Sequence, residues 1–261
     1  MAKRGSGWHP FLSALARGAG KILHDGFERP HRIQRKRGAG IVTEIDKRAE
    51  KYLLKNIFRK FPESSIITEE SGEYKRRDDL VWIIDPLDGT SNYAHGFPWF
   101  CVSIGLYEQG QPKAGSIFQP LTGDMYYAEA GRGAFLNGKR IHVSATRKLG
   151  DALLGTGFYY HRGNRLREEI EIFRKVQEVA LGVRRPGSAA LDLAMVASGR
   201  YDGFWERGLS SWDVAAGSLL VSEAGGKVSN YAGNPTTIFD REIMASNGGP
   251  IHRQVLRLIH S

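Results

Sequence analysis

The chain holds one cysteine among its 261 residues. A single thiol excludes an intramolecular disulfide framework and fits a reducing compartment, so a cytoplasmic location is expected. No stretch approaches the roughly 18 consecutive apolar residues of a membrane span. Lys3 and Arg4 stand near the start, but the segment from Phe11 to Phe27 carries Arg17, Lys21 and His24. That pattern is an amphipathic helix rather than a signal-peptide core. Internal repeats, low-complexity segments and zinc-finger, RNP or helix-turn-helix signatures are also missing. Cys101 has no arginine six positions later, where a cysteine phosphatase needs one, and reads as a small core residue. Acidic residues are in deficit, leaving a formal net charge of +9. The surplus is densest at Arg29, Arg32, Arg35, Lys36 and Arg37. Residues 29–40 therefore read as a basic loop, either simply solvated or a rim that attracts phosphate or a polyanion.

What remains suits one large folded unit spanning residues 1–261, with an α+β part to about residue 150 and an α/β part from about 151. Phe11, Leu12, Leu15, Ala19, Ile22, Leu23 and Phe27 recur at helical spacing and predict a helix over 11–27. Thr43 suits the N-cap of a second helix over 45–60, with Ala49, Leu53 and Ile57 inward. Asp46 then falls in its first turn, where a carboxylate favours the helix dipole. A short strand is expected over 64–67, and a buried one over 80–84 that Asp85-Pro86 should end. Between Trp99 and Val143 five strand-like stretches alternate with Gly, Pro or Asn turns, Asn137-Gly138 being the strongest hairpin signal. After Asp151 a strand over 152–156 precedes a helix over 165–180, with Leu166, Ile170, Phe173 and Val176 inward. A small-residue helix over 188–198 and a strand over 201–205 follow. Ser210 or Ser211 can cap a helix from Trp212 to about Glu223, which Gly225-Gly226 stops. A strand over 242–246 and a helix over 251–259 close the chain. Antiparallel runs mixed with helices point to a layered α+β fold, not a doubly wound parallel sheet.

The chemistry gathers at element ends. Asp85-Pro86-Leu87-Asp88-Gly89-Thr90-Ser91-Asn92 puts two carboxylates three residues apart on a turn, followed by backbone N–H groups that could open a short helix. Carboxylates beside N–H donors suit hard cations and a phosphate bound together. A polar turn with a capping Asp has the same local look. Glu69-Glu70 ends the 64–67 strand fifteen residues before Asp85, close enough for strand pairing to join them. Asp46, Glu69, Asp85, Asp88 and Asp213 all sit where an element begins or stops. Such acids repel one another unless cations lie between them, and an all-oxygen set selects Mg²⁺, Mn²⁺ or Ca²⁺ over zinc. That is the apparatus of metal-assisted phosphate chemistry. Haloacid-dehalogenase phosphatases space their motif aspartates two apart, so no phospho-enzyme is expected from Asp85 and Asp88. Glu44, Glu50 and Glu70 read as solvated or supporting groups, and Glu223 as closing its helix.

On Asp85 to Tyr93, Trp212 to Gly217, Glu223 to Gly226, Ile67 to Gly72, Val42 to Asp46 and Gly187 to Ala190, the chain resembles the inositol monophosphatase family from about Phe11 to Ile259. The resemblance implies a layered αβαβα sandwich of the inositol monophosphatase/fructose-1,6-bisphosphatase type, a homodimer, and Mg²⁺-dependent, Li⁺-sensitive phosphomonoesterase activity. It implies that Glu69, Asp85 and the Leu87 carbonyl bind a first metal, and Asp85, Asp88 and Asp213 a second. Glu69 with Asp46 would hold a weaker third. Glu69 and Thr90 would orient and deprotonate the attacking water, and the Gly89 and Thr90 N–H groups would cradle phosphate. Asp88 and Asp213 would border the substrate as well as the metals. Glu206 matches the acid that contacts substrate hydroxyls, Gly187, Ser188 and Ala189 line the leaving-group pocket, and Lys36 falls on a basic loop near the metals. Ser91 and Tyr93 stand where Thr and Phe are commoner, while Leu209-Ser210-Ser211 and Tyr159-Tyr160-His161 vary at substrate-side positions. Ser91-Asn92-Tyr93 replaces the Lys-Glu-Phe run of nucleotide-type relatives. The expected substrate is thus myo-inositol 1-phosphate or a related polyol or sugar phosphate, with histidinol phosphate and fructose 1,6-bisphosphate as alternatives. Some bacterial members also attach to the transcription machinery. Arg184-Arg185 and the positive surplus would suit contact with an acidic protein or RNA, a core-edge or interface salt bridge being the ordinary use of such a pair.

Overall fold

A computed structural model describes residues 7–29, 32–35, 40–77, 79–158 and 163–261. Lys3, Arg4, Lys36, Arg37 and Tyr159-Tyr160-His161, singled out above, lie outside the described residues. In chain order the elements are α1 (His9–Gly26), β1 (Ile33–Arg35), β2 (Ile41–Thr43), α2 (Glu44–Lys60), β3 (Ser65–Thr68), β4 (Gly72–Tyr74), β5 (Leu80–Asp88), α3 (Thr90–Ala94), β6 (Cys101–Glu108), β7 (Gln111–Gln119), β8 (Asp124–Glu129), β9 (Gly133–Leu136) and β10 (Lys139–Ile141). The second half adds β11 (Leu153–Thr156), α4 (Asn164–Gln177), β12 (Gly182–Arg184), α5 (Ala189–Ala197), β13 (Gly203–Arg207), α6 (Ser211–Glu223), β14 (Lys227–Ser229), β15 (Glu242–Ser246) and α7 (Pro250–His260).

Two main sheets and three helical layers alternate. An eight-stranded sheet runs β10-β9-β8-β7-β6-β5-β3-β4, antiparallel except where β3 lies parallel to β5. A five-stranded sheet runs β12-β11-β13-β15-β14, with β11 parallel to both neighbours. α1 and α2 bury Leu12, Leu23, Leu53 and Ile57 against Trp82, Ile84 and Val102 on the outer face of the larger sheet. α5 and α6 fill the space between the sheets, and their small residues permit close packing. A Cβ on Gly105 of β6 would stand 2.8 Å from Ala215 Cβ of α6, so only glycine fits there. α4 and α7 cover the far side of the smaller sheet around Leu154, Ile172, Trp205 and Met244. This is the expected α+β layered sandwich. Among the described residues no helix is long and apolar enough to cross a membrane.

Several local expectations need correcting. The strand expected to stop at Ile84 continues through Pro86 to Asp88. Its β3 pairing ends at Thr68 opposite Ile84, and its β6 register slips between Asp85 and Asp88. Proline's missing donor is thus accommodated in a bulge with no strand on the β3 side. Within the basic loop, Ile33–Arg35 pair with Ile41–Thr43 as a hairpin, driven by the β-branched Ile41-Val42-Thr43 run. On α4, Val176 turns inward as expected, but Ile170 is 52% exposed, and Glu169 and Ile172 are buried instead. The core between α4 and α7 receives that neighbouring face. β1, β4, β12 and β14, each three residues long, are too short to show a period of two.

Candidate active site

The bulge in β5 does the first positioning. In a regular strand, residues three apart face opposite sides. The slip between Asp85 and Asp88 turns both toward one space, where Asp213 from the start of α6 meets them. One carboxylate oxygen from each of Asp85, Asp88 and Asp213 lies within 4.8 Å of the others. Each acid is also fastened locally. Asp85 Oδ1 accepts from Leu87 N at 2.9 Å, and Asp213 Oδ2 from Ser210 N at 2.6 Å. Asp88 Oδ2 accepts from Ser188 Oγ at 2.7 Å and Ala190 N at 2.8 Å, so it is held by the N-terminus of α5.

Asp46 is drawn toward the same region. Thr43 Oγ1 and Thr43 N both donate to Asp46 Oδ2, at 2.5 and 2.8 Å, closing a capping box on α2. Thr90 Oγ1 stands 3.0 Å from both Asp46 Oδ1 and the Leu87 carbonyl, so one hydroxyl links α2, the bulge and the start of α3. Gly89, at φ +94°, makes the turn between them; a Cβ there would meet the Trp99 carbonyl at 2.8 Å. Parallel pairing of β3 with β5 ends at Thr68 and Ile84, which brings Glu69 alongside Asp85, as strand pairing was expected to do. Glu69 is not one of the three carboxylates that close within 4.8 Å, yet its charge acts on Asp46, Asp85 and Asp88. Of the two uses expected for Glu50, the supporting one holds: it is buried and accepts from Ser71 N at 3.0 Å, which anchors the turn after Glu69-Glu70. Glu223 reaches beyond its own helix to accept from Gly131 N and Gly133 N, at 2.8 and 2.7 Å.

The cluster is under electrostatic strain. Burial raises the Asp85 carboxyl well above the usual carboxylate range, and the charges of Glu69, Asp88 and Asp213 add to the rise. Burial pushes Asp88 up to about 6, against the Ser188 and Ala190 donors. Asp46 rises for the same reason, opposed by its Thr43 and Thr90 bonds. A cation among these oxygens would relieve the desolvation and the mutual repulsion together. The donor set is all oxygen, from three separate elements, and therefore fits a hard divalent metal.

The second sheet supplies the opposite wall. Glu206 on β13 is raised by desolvation and by the Asp213 charge, and Arg185 opposes that rise. A Cβ on Gly157 would fall 2.0 Å from the Glu206 carboxyl carbon, so this acid lies directly over a glycine backbone. Gly187, at φ +93°, places its Cα near Asn92 and Arg185. Ser188 caps α5 and donates to Asp88, so Ser188 and the first turn of α5, Ala189 included, border the acids.

Three contributors escaped the sequence reading. Asn92 Nδ2 donates to the Trp99 and Pro186 carbonyls, at 2.7 and 2.9 Å, and thereby ties α3 to the loop before α5. It stood inside the quoted motif without a role. Arg185 parts from Arg184: its guanidinium lies 5.9 Å from the Phe158 ring centroid and counters Glu206 and Asp192. Asp192 is buried on α5 with neither oxygen hydrogen-bonded. A lone acid in the run Ala189 to Ala197 was the available signal.

Comparison with known proteins agrees with this geometry. Residues 8–261 match the inositol monophosphatase family. The chain is 42% identical over 250 residues to an inositol-1-monophosphatase of Synechocystis, covering 95% of this chain and 87% of that one. It is 41% identical over 239 residues to the Nus factor SuhB of Pseudomonas aeruginosa, covering 89% and 88%. The crystal structure of the extragenic suppressor protein SuhB from Bartonella henselae superposes with a TM-score of 0.92 at 38% identity, covering 96% and 97%. With its layered fold, its three-carboxylate cluster and these relatives, the chain belongs to the inositol monophosphatase family.

Proposed function

We propose that the protein is a Mg²⁺-dependent phosphomonoesterase that hydrolyses myo-inositol 1-phosphate, or a related polyol or sugar phosphate, to the free alcohol and phosphate. The observation that carries this reading is the convergence of Asp85, Asp88 and Asp213 beside Thr90 and the first turn of α3. Asp85, Asp88 and Asp213 would hold one Mg²⁺, Asp85 with Glu69 and the Leu87 carbonyl another, and Glu69 with Asp46 a weaker third. Bound there, the metal supplies charge neutralisation for the phosphoryl oxygens. The Gly89 and Thr90 N–H groups, at the start of α3, would cradle the phosphate. Glu69 takes the proton of the attacking water, and the Thr90 hydroxyl, already held between Asp46 and Leu87, orients that water. The P–O bond to the alcohol breaks as the new one forms, and a solvent water protonates the departing alkoxide. Glu206 accepts from substrate hydroxyls, and Gly187 leaves room for the ring.

Phosphate release from inositol 1-phosphate, histidinol phosphate, fructose 1,6-bisphosphate and adenosine 3′,5′-bisphosphate, with Mg²⁺, with EDTA and with added Li⁺, tests the reading. Rapid Mg²⁺-dependent turnover of inositol 1-phosphate, inhibited by Li⁺ and abolished in Asp213→Asn, is the expected result. Turnover of another ester alone would replace the substrate, and none from folded, metal-loaded protein would remove the activity. The Nus factor relatives favour a second reading, a regulatory contact with the transcription machinery alongside catalysis. A salt-sensitive pull-down that survives Asp213→Asn is its test.

A further inference from the structure

Two ties cross from the acid-bearing turn to the backbone strip that opens α5. One is the pair of bonds from Ser188 Oγ and Ala190 N to Asp88. The other is the Asn92 amide, half-buried on α3. Its Nδ2 donates to the Trp99 carbonyl at 2.7 Å, to the Pro186 carbonyl at 2.9 Å and, more weakly, to the Gly187 carbonyl at 3.3 Å. A carboxamide nitrogen carries two hydrogens, and three carbonyls converge on them here. The Trp99 carbonyl is the one that leaves no room for a Cβ on Gly89. The other two lie 94 and 95 residues further along the chain.

Consecutive carbonyls of an extended chain face opposite ways. Pro186 and Gly187 break that alternation because Gly187 takes φ +93°, where side-chain-bearing residues rarely go. With both carbonyls drawn to Asn92, planar trans peptides turn the N–H groups of Gly187 and Ser188 the other way. Neither N–H has a hydrogen-bond partner among the described residues. The strip continues into the Ser188 hydroxyl and Ala190 N–H that grip Asp88, so the two donors stand beside the acids. Adjacent unengaged backbone donors at that place suit the oxygens of a polyol. We propose that Asn92 is a positioning residue for the alcohol half of the substrate. Its amide holds the Pro186 and Gly187 carbonyls and thereby presents the Gly187 and Ser188 N–H groups to oxygens of the departing alcohol. This role rests on the phosphatase reading, and it divides the site: Asp88 and its donors serve the metal and phosphate, while Asn92 sets where the alcohol lies. An ester whose alcohol has no hydroxyl makes no use of these donors, so the effect of Asn92 depends on the ester offered.

Asn92→Ala deletes the amide, and Asn92→Asp keeps its shape but offers no hydrogen when ionised. Each is compared with wild type on myo-inositol 1-phosphate and on p-nitrophenyl phosphate, whose leaving group carries no hydroxyl. In Asn92→Ala, kcat/KM for inositol 1-phosphate should fall about tenfold or more, chiefly through KM, and that for p-nitrophenyl phosphate by less than about twofold. The Mg²⁺ needed for half-maximal rate should stay within about twofold, because Asp88 keeps both of its donors. Asn92→Asp should lose at least as much on the inositol ester, since three carbonyls then face a carboxylate. Circular dichroism and melting temperature establish that the variants fold. Equal losses on the two esters, no loss on either, or a Mg²⁺ requirement that rises in step with the loss overturns the proposal and leaves the phosphatase reading standing. Turnover of neither ester by wild type removes both. A further measurement needs no variant: in wild-type protein, saturating myo-inositol with Mg²⁺ and phosphate should shift the Gly187 and Ser188 amide resonances, and unshifted amides overturn the proposal.

Discussion

Replacing Asp88 by asparagine separates the charge of the acidic cluster from its hydrogen bonding. An asparagine Oδ1 still accepts from Ser188 Oγ and Ala190 N, so α5 stays fastened to the bulge. What disappears is one of the mutually repelling carboxylates. With the folded value pushed up to about 6 from 3.8, the unfolded chain sheds this proton first as pH rises. Between about pH 4 and 6 the folded state binds more protons, and metal-free stability falls with increasing pH. A gap of about two pH units at about 1.36 kcal/mol each costs about 3 kcal/mol at pH 7.5. The Ser188 and Ala190 bonds to the ionised form are already contained in that folded value, so the cost is net of them. In EDTA at pH 7.5, Asp88→Asn should therefore melt about 6–12 °C above wild type, and the advantage should vanish near pH 4. Mg²⁺ at ten times its dissociation constant should stabilise wild type by about 1.4 kcal/mol and the variant far less. Scanning calorimetry at pH 4, 5.5 and 7.5, with EDTA or millimolar Mg²⁺, measures all of this. A variant less stable than wild type in EDTA at pH 7.5, or one with an undiminished Mg²⁺ response, would refute the account of the cluster as a strained cation site.

Four other perturbations follow from the geometry. Gly89→Ala forces a Cβ against the Trp99 carbonyl at positive φ, so it should cost about 1–3 kcal/mol in denaturant melts and sharply reduce phosphate release. Gly105→Ala presses on Ala215 and displaces α6 with Asp213, so the melting temperature should fall and the Mg²⁺ needed for half-maximal activity should rise. Asp192→Asn removes a buried carboxylate that burial and Glu206 hold well above its usual range. Wild-type stability falls as pH rises above the ordinary carboxylate value, so the variant should gain in melting temperature at pH 7.5, with little change at pH 4. His252 opposes these acids: its ring nitrogens lie 2.9 Å from Ser229 Oγ and Ser246 Oγ, and burial holds it down to about 4. Stability is lost as pH falls from about 6.5 toward 4, because the unfolded imidazole takes the proton first. Because the acids' opposite contribution then stands alone, lowering pH from 7 to 5 should change the urea midpoint more favourably in His252→Gln than in wild type.

The site was most legible where its chemistry is coded by short spacings. Thr43 three residues before Asp46 is a capping signal, and Ser210 before Asp213 is another; both acids occupy first turns as expected. Glu69 beside Asp85 required one longer inference, that two strands pair, and the parallel register of β3 on β5 fulfils it. Pro86 misled because the rule against proline in a ladder concerns regular pairing, and β5 escapes it through a bulge with one side open. Arg185 and Asp192 were hidden for another reason. Their roles depend on how the smaller sheet and α5 are brought against β5, a contact between segments about a hundred residues apart that no local pattern encodes.

For Asp46, helix capping and a place in the site looked like competing uses of one carboxylate. The structure makes them divisions of it, with Oδ2 closing the α2 capping box and Oδ1 receiving the Thr90 hydroxyl. The same economy recurs around the cluster. Asp85 uses Oδ1 on the bulge N–H of Leu87, Asp88 uses Oδ2 on α5, and Asp213 uses Oδ2 on the backbone before α6. Each acid thus fastens an element that borders the site, its own for Asp46, Asp85 and Asp213 and α5 for Asp88, which holds repelling groups together before any cation arrives. Because fastening and chemistry share one carboxylate, alanine at these positions removes both at once. At Asp85, Asp88 and Asp213, where one oxygen does the fastening, asparagine keeps that acceptor and removes the charge, so the Asn and Ala variants of one of these acids should differ in stability even where both are inactive.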